Sequence, residues 1–411
     1  MLSIYIHIPF CLKKCPYCNF NSYAFDSIKI PDLEKKYTET VINEFNIRIN
    51  ALNLQNETVA TIYFGGGTPS IFSAHSLGQI ITAIKTKLNF ASDIEITLEA
   101  NPATITTLQQ LAALKSIGLT RISLGVQSFL NDKLKFLGRL HSVQDARVAF
   151  ELLRTSGFSN LNLDLIFGYA SEKVEDLEYE LRELLALMPE HVSIYGLSIE
   201  KGSAFFAQAQ ANRIFTCSEE TYAELYRTIQ IFLAETFCQY EISNFAQPNY
   251  ESRHNLNYWN GENYLGLGAG AHSYLSVPAQ HSATVGATSP DHPTTTTPKF
   301  ARRFANVSLP SKYMAQFSQI SEFFSSTNLA FEETLTLEQQ QMEFTFLSLR
   351  KASGLNLQKY QKLFGKKSFE NLQQKVRPLI DQAYLALSND HLQIPPQRFI
   401  IADSIVEKLV A

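Results

Sequence analysis

Cysteine is scarce in this sequence, with five in 411 residues, and an odd number cannot all pair with one another. That argues against the disulfide framework of a small secreted domain and suits a reducing compartment. Charge of one sign is not in excess either. The formal net charge is −4, so no basic surface for nucleic acid or anionic lipid is expected. No run of eighteen apolar residues occurs, which argues against a membrane span. The opening "MLSIYIHIPF" has neither the basic flank nor the small-residue cleavage site of a signal peptide. The expectation is a cytoplasmic protein. With 45% hydrophobic residues, the chain has room for two or three domains, each with its own core.

What is present is rhythm. Six β-branched or aromatic runs punctuate the first half: "SIYIHIPF", "VATIYFGGG", "IEITLEANP", "RISLGVQS", "LNLDLIFG" and "HVSIYGLSIE". Amphipathic stretches such as "LEKKYTETVINEFNIRI", "TLQQLAALKSIG", "VQDARVAFELLRTSG" and "LEYELRELLALM" lie between them. Gly118 and Gly157 stand where helix C-caps belong. Alternation of this kind predicts a parallel sheet with right-handed crossovers, as an open six-strand barrel or a doubly wound sheet. Polar or glycine-rich residues follow the strand ends, where α/β folds place their ligands.

From about residue 201 the rhythm changes to an aromatic, Asn- and Gly-rich stretch, read as loops and short antiparallel strands over 201–334. Within it, residues 277–300 are rich in Thr, Ser, Pro and Ala and predict a mobile surface insertion. Residues 335–411 read as a helical module closed by a short hairpin and a helix, similar to a small winged-helix domain. The balanced charge gives no support for DNA contact there.

Three of the five cysteines, Cys11, Cys15 and Cys18, fall within eight positions as C-x3-C-x2-C directly after the first strand. Three thiolates leave a tetrahedral shell incomplete. Zinc could take them together with His7 or a distant ligand. A 4Fe–4S cluster could instead use all three and leave one iron open. The "GGGTP" segment, Gly65 to Pro69, follows the second strand. Consecutive glycines let a backbone pass close to a ligand and present its polar groups.

C-x3-C-x2-C with Tyr17 before the last cysteine, followed by "GGGTP", resembles the radical S-adenosylmethionine enzymes. In that family the open iron is chelated by S-adenosylmethionine, and an electron from the cluster splits the sulfonium to a 5′-deoxyadenosyl radical. The resemblance implies the open six-unit (βα)6 partial barrel for residues 1–200, carrying the 4Fe–4S cluster. A small loop/β extension and the C-terminal winged-helix-like helical module would follow. "YIHIPFC", "CPYC", "GGGTPS", "LEANP", "SLGVQSF", "LGRLH" and "NLDLIFG" follow the order of the coproporphyrinogen dehydrogenase-like branch. By that resemblance Tyr5, Tyr17, Gly66, Gly67, Thr68, Glu99, Gln127, Arg139 and Asp164 contact S-adenosylmethionine. Glu99 and Asp164 suit ribose hydroxyls or the amino group, and Arg139 suits the methionyl carboxylate.

Two functions share this scaffold: oxidative decarboxylation of coproporphyrinogen III, and binding of heme for transfer to acceptor proteins. The decarboxylases carry a further cysteine two positions after the third and an N-terminal extension. Here that position is Phe20, and the first strand begins at residue 3. "RHNLNYW", Arg253 to Trp259, matches the HNxxYW segment of the heme-chaperone subgroup. The resemblance therefore implies heme as cargo, with His254 as its ligand, Tyr258 and Trp259 flanking the macrocycle and Arg253 on a propionate. His272, Cys217 and Cys238 are further candidates, core burial being the simpler reading of the two cysteines. A zinc-stabilised interaction scaffold is the third alternative. Partners expected are heme and its acceptors, with membrane contact only transient where an acceptor is a membrane protein; a homodimer stays open.

Overall fold

The computed structural model describes residues 1–25, 30–211, 213, 215–278, 299–319 and 329–410. All six expected strands form: β1 (Leu2–Ile8), β2 (Thr58–Gly66), β3 (Asn89–Ala100), β4 (Arg121–Gln127), β5 (Leu161–Phe167) and β6 (His191–Gly196). They are neighbours in chain order and every adjacent pair is parallel. Helices supply the crossovers: α1 (Ile30–Ala51), α2 (Ala74–Lys87), α3 (Leu108–Ser116), α4 (Val143–Thr155) and α5 (Val174–Ala186). Local chemistry sets their ends. Ser142 and Asp145 form a capping box at the start of α4, and Gly118 and Gly157 stop α3 and α4 with φ of 98° and 86°.

The period-2 alternation of each strand decides which face meets what. Ile4, Ile6, Ile62, Phe64, Leu98, Ile122, Leu124, Leu163 and Val192 belong to the continuous apolar core under the helices. Each contributes about 1.5–3 kcal/mol by leaving water. The alternate residues form polar rows in register: Ser3 opposite Thr61, Tyr5 opposite Tyr63, Thr97 opposite Arg121, Glu99 opposite Ser123, Asn162 opposite His191 and Asp164 opposite Ser193. Burying such groups costs unless they are bonded. His191 meets this by bridging Asn162 Oδ1 at 2.6 Å and Tyr240 Oη at 2.8 Å, while Ser193 Oγ donates to Asn162 Oδ1 at 3.1 Å. A barrel lined this way gives up apolar packing in its interior and keeps a polar lumen.

The sheet continues beyond the six strands. Past β6 come two short antiparallel strands, β7 (Cys238–Gln239) and β8 (Asn244–Ala246), with β8 on β6. On the other edge β9 (Tyr264–Leu267) runs parallel to β1, followed by antiparallel β10 (His272–Pro278), β11 (Lys299–Ala305) and β12 (Phe331–Leu335). The order runs from β12 to β7 without closing, so the barrel is open. This region departs from its sequence reading, for it also holds helices Ala204–Ala209, α6 (Glu219–Leu233) and Pro310–Gln319. β9 is parallel because helix α7 (Arg253–Trp259) reverses the chain before it, and "RHNLNYW" is that helix rather than a loop. The expected insertion at 277–300 lies outside the described residues over 279–298, and its flanks belong to paired strands, Val277 opposite Phe300 and Pro278 opposite Lys299.

A buried network fixes the extension to the barrel. The Gly268 and Ala269 amides donate to Glu44 Oε2 at 2.8 Å and Tyr37 Oη at 2.7 Å, both side chains belonging to α1. The C-terminal region carries α8 (Leu337–Leu349), a long kinked helix α9 (Leu357–Asp381), a three-stranded sheet and a last helix, Ala402–Val410. Among the described residues no helix is long and apolar enough to cross a membrane.

Candidate cofactor site

The cysteine loop leaves β1 at its C-terminal end. Phe10–Cys11 pairs with Tyr23–Ala24, which closes a loop holding Cys15 and Cys18. Lys14 Nζ donates to Phe20 O at 3.0 Å and Ser22 O at 3.1 Å. Asn21 Nδ2 donates to Ala269 O at 2.9 Å and Ser308 O at 3.0 Å, so the loop is tied to the extension as well as to itself.

The three thiols share a cavity of about 470 Å³ that descends into the lumen. Thr68 Oγ1 donates to Cys11 Sγ at 3.5 Å, Arg139 Nη1 to Cys15 Sγ at 3.6 Å, and Ser22 Oγ lies 3.7 Å from Cys18 Sγ. Burial raises the Cys11 pKa; the Thr68 hydrogen bond opposes it, and neighbouring Cys18 and Cys15 add to it. Among the described residues no three His, Cys, Asp or Glu side chains gather on one ion position. The three thiols open onto one shared space, the arrangement in which each thiolate of a cluster takes its own iron. Cys238 sits on the far edge strand and Cys217 precedes the helix Glu219–Leu233; neither lines this cavity.

The "GGGTP" ridge borders the same space. A Cβ on Gly67 would lie 2.7 Å from Phe10 O and 2.9 Å from Phe10 N, backbone that cannot yield, and one on Gly66 would lie 2.5 Å from the His7 ring, with φ already at 116°. The Gly66, Gly67 and Thr68 amides donate to Glu99 Oε2 (3.1 Å), Ile8 O (2.8 Å) and Phe10 O (2.8 Å). A ligand here therefore meets acceptor oxygens, the polarity an amino group requires.

Lower in the lumen, Tyr63 Oη donates to Glu99 Oε1 at 2.8 Å. Burial pushes the Glu99 carboxyl up to about 7, the Tyr63 bond opposing and Asp164 adding to the shift. Asp164 accepts from Asn162 Nδ2 at 2.6 Å and Ser123 Oγ at 3.3 Å, and burial raises its pKa too. Gln127 ends β4 with φ of 69°, a conformation costing about 1–3 kcal/mol for a residue with a side chain. Arg139 Nη2 donates to Gly125 O at 2.8 Å, and Tyr17 lies beside Arg139 and Cys15. The segment between Gln127 and Arg139 is anchored from below. Buried Lys133 pairs with Glu172 and with Glu180 at 2.6 Å, and Glu180 also takes the Phe129 amide at 2.7 Å.

The fold thus gathers Cys11, Cys15, Cys18, Tyr17, Gly66, Gly67, Thr68, Glu99, Gln127, Arg139 and Asp164 around one cavity. Tyr5 stands apart. It lines an adjoining cavity of about 420 Å³ that shares Phe20, Gly66 and Glu99 with the first. Tyr63, Arg121, Asn162, Ser193 and Tyr195, absent from the motif reading, also line the main cavity. The polar alternation of their strands was the signal for them.

His254 lines neither cavity. Helix α7 sits beneath the lumen, where the Arg253 and His254 amides donate to Glu95 at 3.1 and 3.0 Å and its Asn255 and Tyr258 line the main and the adjoining cavity. The imidazole is buried and stacked on Tyr63 with centroids 4.9 Å apart. Its Nδ1 lies 2.7 Å from Thr61 Oγ1 and its Nε2 2.9 Å from Tyr258 Oη, and burial depresses its pKa to about 3. As placed, both nitrogens are hydrogen-bonded, so iron ligation by His254 would first break its bond to Tyr258 or to Thr61. Arg253 is paired with Asp93 at 2.9 Å, and Trp259 lies under Arg350 of the C-terminal region.

Comparison with known proteins adds an independent line. The Radical SAM superfamily model matches residues 5–230, and the HemN C-terminal domain model matches residues 335–397. A Haemophilus influenzae protein named Heme chaperone HemW is 38% identical over 67% of this chain and 71% of its own length. The Lactococcus lactis protein of that name is 32% identical over 99% of this chain and 97% of its own. Among solved structures, coproporphyrinogen III oxidase (HemN) from Escherichia coli superposes with a TM-score of 0.77 at 19% identity, covering 100% of this chain and 90% of that one; this likeness concerns the fold.

Proposed function

Because this chain belongs to the radical S-adenosylmethionine superfamily and to the branch of its heme-chaperone relatives, we propose that it binds heme and delivers it to acceptor proteins. Cys11, Cys15 and Cys18 would hold a 4Fe–4S cluster, and the remaining iron would take an exchangeable S-adenosylmethionine. When bound and reduced, the cluster would supply a single electron to the sulfonium of S-adenosylmethionine. The residues of the chain do the placing. The Gly66–Thr68 ridge and Glu99 receive the amino group, Arg139 the carboxylate beside Cys15, and Asp164 with Gln127 the ribose, while Tyr17 packs at the loop. Residues 1–200 form the cofactor barrel, 201–334 its extension and 335–411 the closing module, working in the cytoplasm.

The observation that carries delivery over decarboxylation is Phe20. It stands exposed where the two cavities meet, at the position where the decarboxylases place another cysteine. Radical decarboxylation of coproporphyrinogen III is the second reading, since the same cysteine and glycine motifs serve it. One experiment separates them. The protein is purified without oxygen, its cluster rebuilt, and heme and coproporphyrinogen III are offered separately. Stoichiometric heme binding without vinyl products supports delivery; turnover to protoporphyrinogen overturns it.

A further inference from the structure

We propose that the adjoining cavity is the heme seat, with His272 as axial ligand and Phe20, Tyr258 and Tyr264 as its walls; this rests on the heme reading above. The cavity, about 420 Å³, falls in the size range of small-molecule sites and lies open to solvent beside the cluster loop. Two histidines line it. His7 is unavailable, with Nδ1 3.0 Å from Tyr5 Oη and Nε2 2.9 Å from Asn21 O. His272 differs. It begins β10, its backbone is held opposite Ala305, its ring is exposed, and among the described residues no hydrogen bond reaches either ring nitrogen. Burial, and next the Arg303 charge, lower its pKa, so the imidazole is neutral at neutral pH and keeps a lone pair for iron.

The walls have the chemistry of a flat apolar ligand's seat. Phe20 leaves 64% of its surface in water, an apolar exposure that a covering macrocycle would relieve. Tyr258 and Tyr264 meet edge to face, centroids 4.6 Å apart at 88°, presenting two faces at right angles. Tyr258 comes from the "RHNLNYW" helix, and His254 holds its hydroxyl. That segment thus reaches the cavity through its tyrosine, with His254 as a positioning residue. Gly66 and Glu99 separate this seat from the S-adenosylmethionine cavity by one layer of residues.

The test titrates ferric heme into the full-length, cluster-loaded protein and reads affinity and the axial-ligand signature by resonance Raman and electron spin resonance. His272→Ala is expected to bind at least tenfold more weakly and to lose the histidine signature, which added imidazole restores. His254→Ala is expected to keep that signature. An unchanged signature in His272→Ala, or its loss in His254→Ala with cluster and circular dichroism intact, overturns the proposal while leaving heme binding standing. A wild-type protein that takes up no heme removes both.

Discussion

Tyr258 Oη lies 2.9 Å from His254 Nε2, and the direction of that bond follows from its far side. Thr61 Oγ1 donates to Ser3 Oγ at 2.9 Å, so it accepts from Nδ1–H, which leaves Nε2 as the acceptor for the tyrosine hydroxyl. Tyr258→Phe strips a buried acceptor of the one donor it has among the described residues. The expected cost is about 1–3 kcal/mol, read as a fall in the urea midpoint. An unmoved midpoint would show that the ring is not held from this side.

Glu99 gives a pH signature. Its carboxyl, pushed by burial to about 7, is largely protonated at pH 6 and ionised at pH 8, and the ionised form is the stronger acceptor for the N–H groups of the amino group. The ratio of wild-type to Glu99→Gln affinity for S-adenosylmethionine should therefore grow as pH rises across that interval, towards tenfold or so at the upper end. Calorimetry on the cluster-loaded proteins measures it. A ratio independent of pH would mean that Glu99 does not meet the amino group.

The glycine ridge tolerates no side chain. In Gly67→Ala the new methyl runs into Phe10 backbone on the cluster strand, so the loop must shift. Loss of S-adenosylmethionine binding with reduced iron and sulfide retention is expected, together with a lower melting temperature. Full cofactor binding in this variant would mean that the ridge is only a turn.

Lys133 tests the scaffold beneath the site. It is buried between Glu172 and Glu180, whose charges, Glu180 first, outweigh the burial that would lower its pKa. Lys133→Met leaves two buried carboxylates without a cation and should cost about 3–5 kcal/mol by urea denaturation. A cost under about 1 kcal/mol would contradict the anchoring role given to this triad.

Much of this was legible in the residues, for identifiable reasons. Strands such as "RISLGVQ" combine β-branched runs with helical neighbours, so their existence and parallel order follow from local pattern. The cysteines, "GGGTP" and Glu99 sit at strand ends, where the fold itself brings them together. The polar lumen was also written in the alternation Arg121, Ser123, Gly125, Gln127, although motif reading alone passes over it. Residues whose role depends on long-range pairing were not legible. Nothing local says that Tyr264–Leu267 will pair in parallel with β1, and that pairing puts His272 near Phe20 across some 250 residues of chain. His254 illustrates the same limit. Its motif draws attention to an imidazole, but Thr61 from β2 and Tyr258 from α7 occupy its two nitrogens, while Glu95 from β3 holds its backbone amide.

The most direct measurement offers the anaerobically reconstituted protein heme and coproporphyrinogen III in parallel, following heme absorbance and vinyl-product formation. The result expected is one heme per chain, retained until an acceptor protein is added, with no protoporphyrinogen formed in the presence of S-adenosylmethionine and a reductant. Catalytic turnover of coproporphyrinogen III, with no stoichiometric heme uptake, would contradict it.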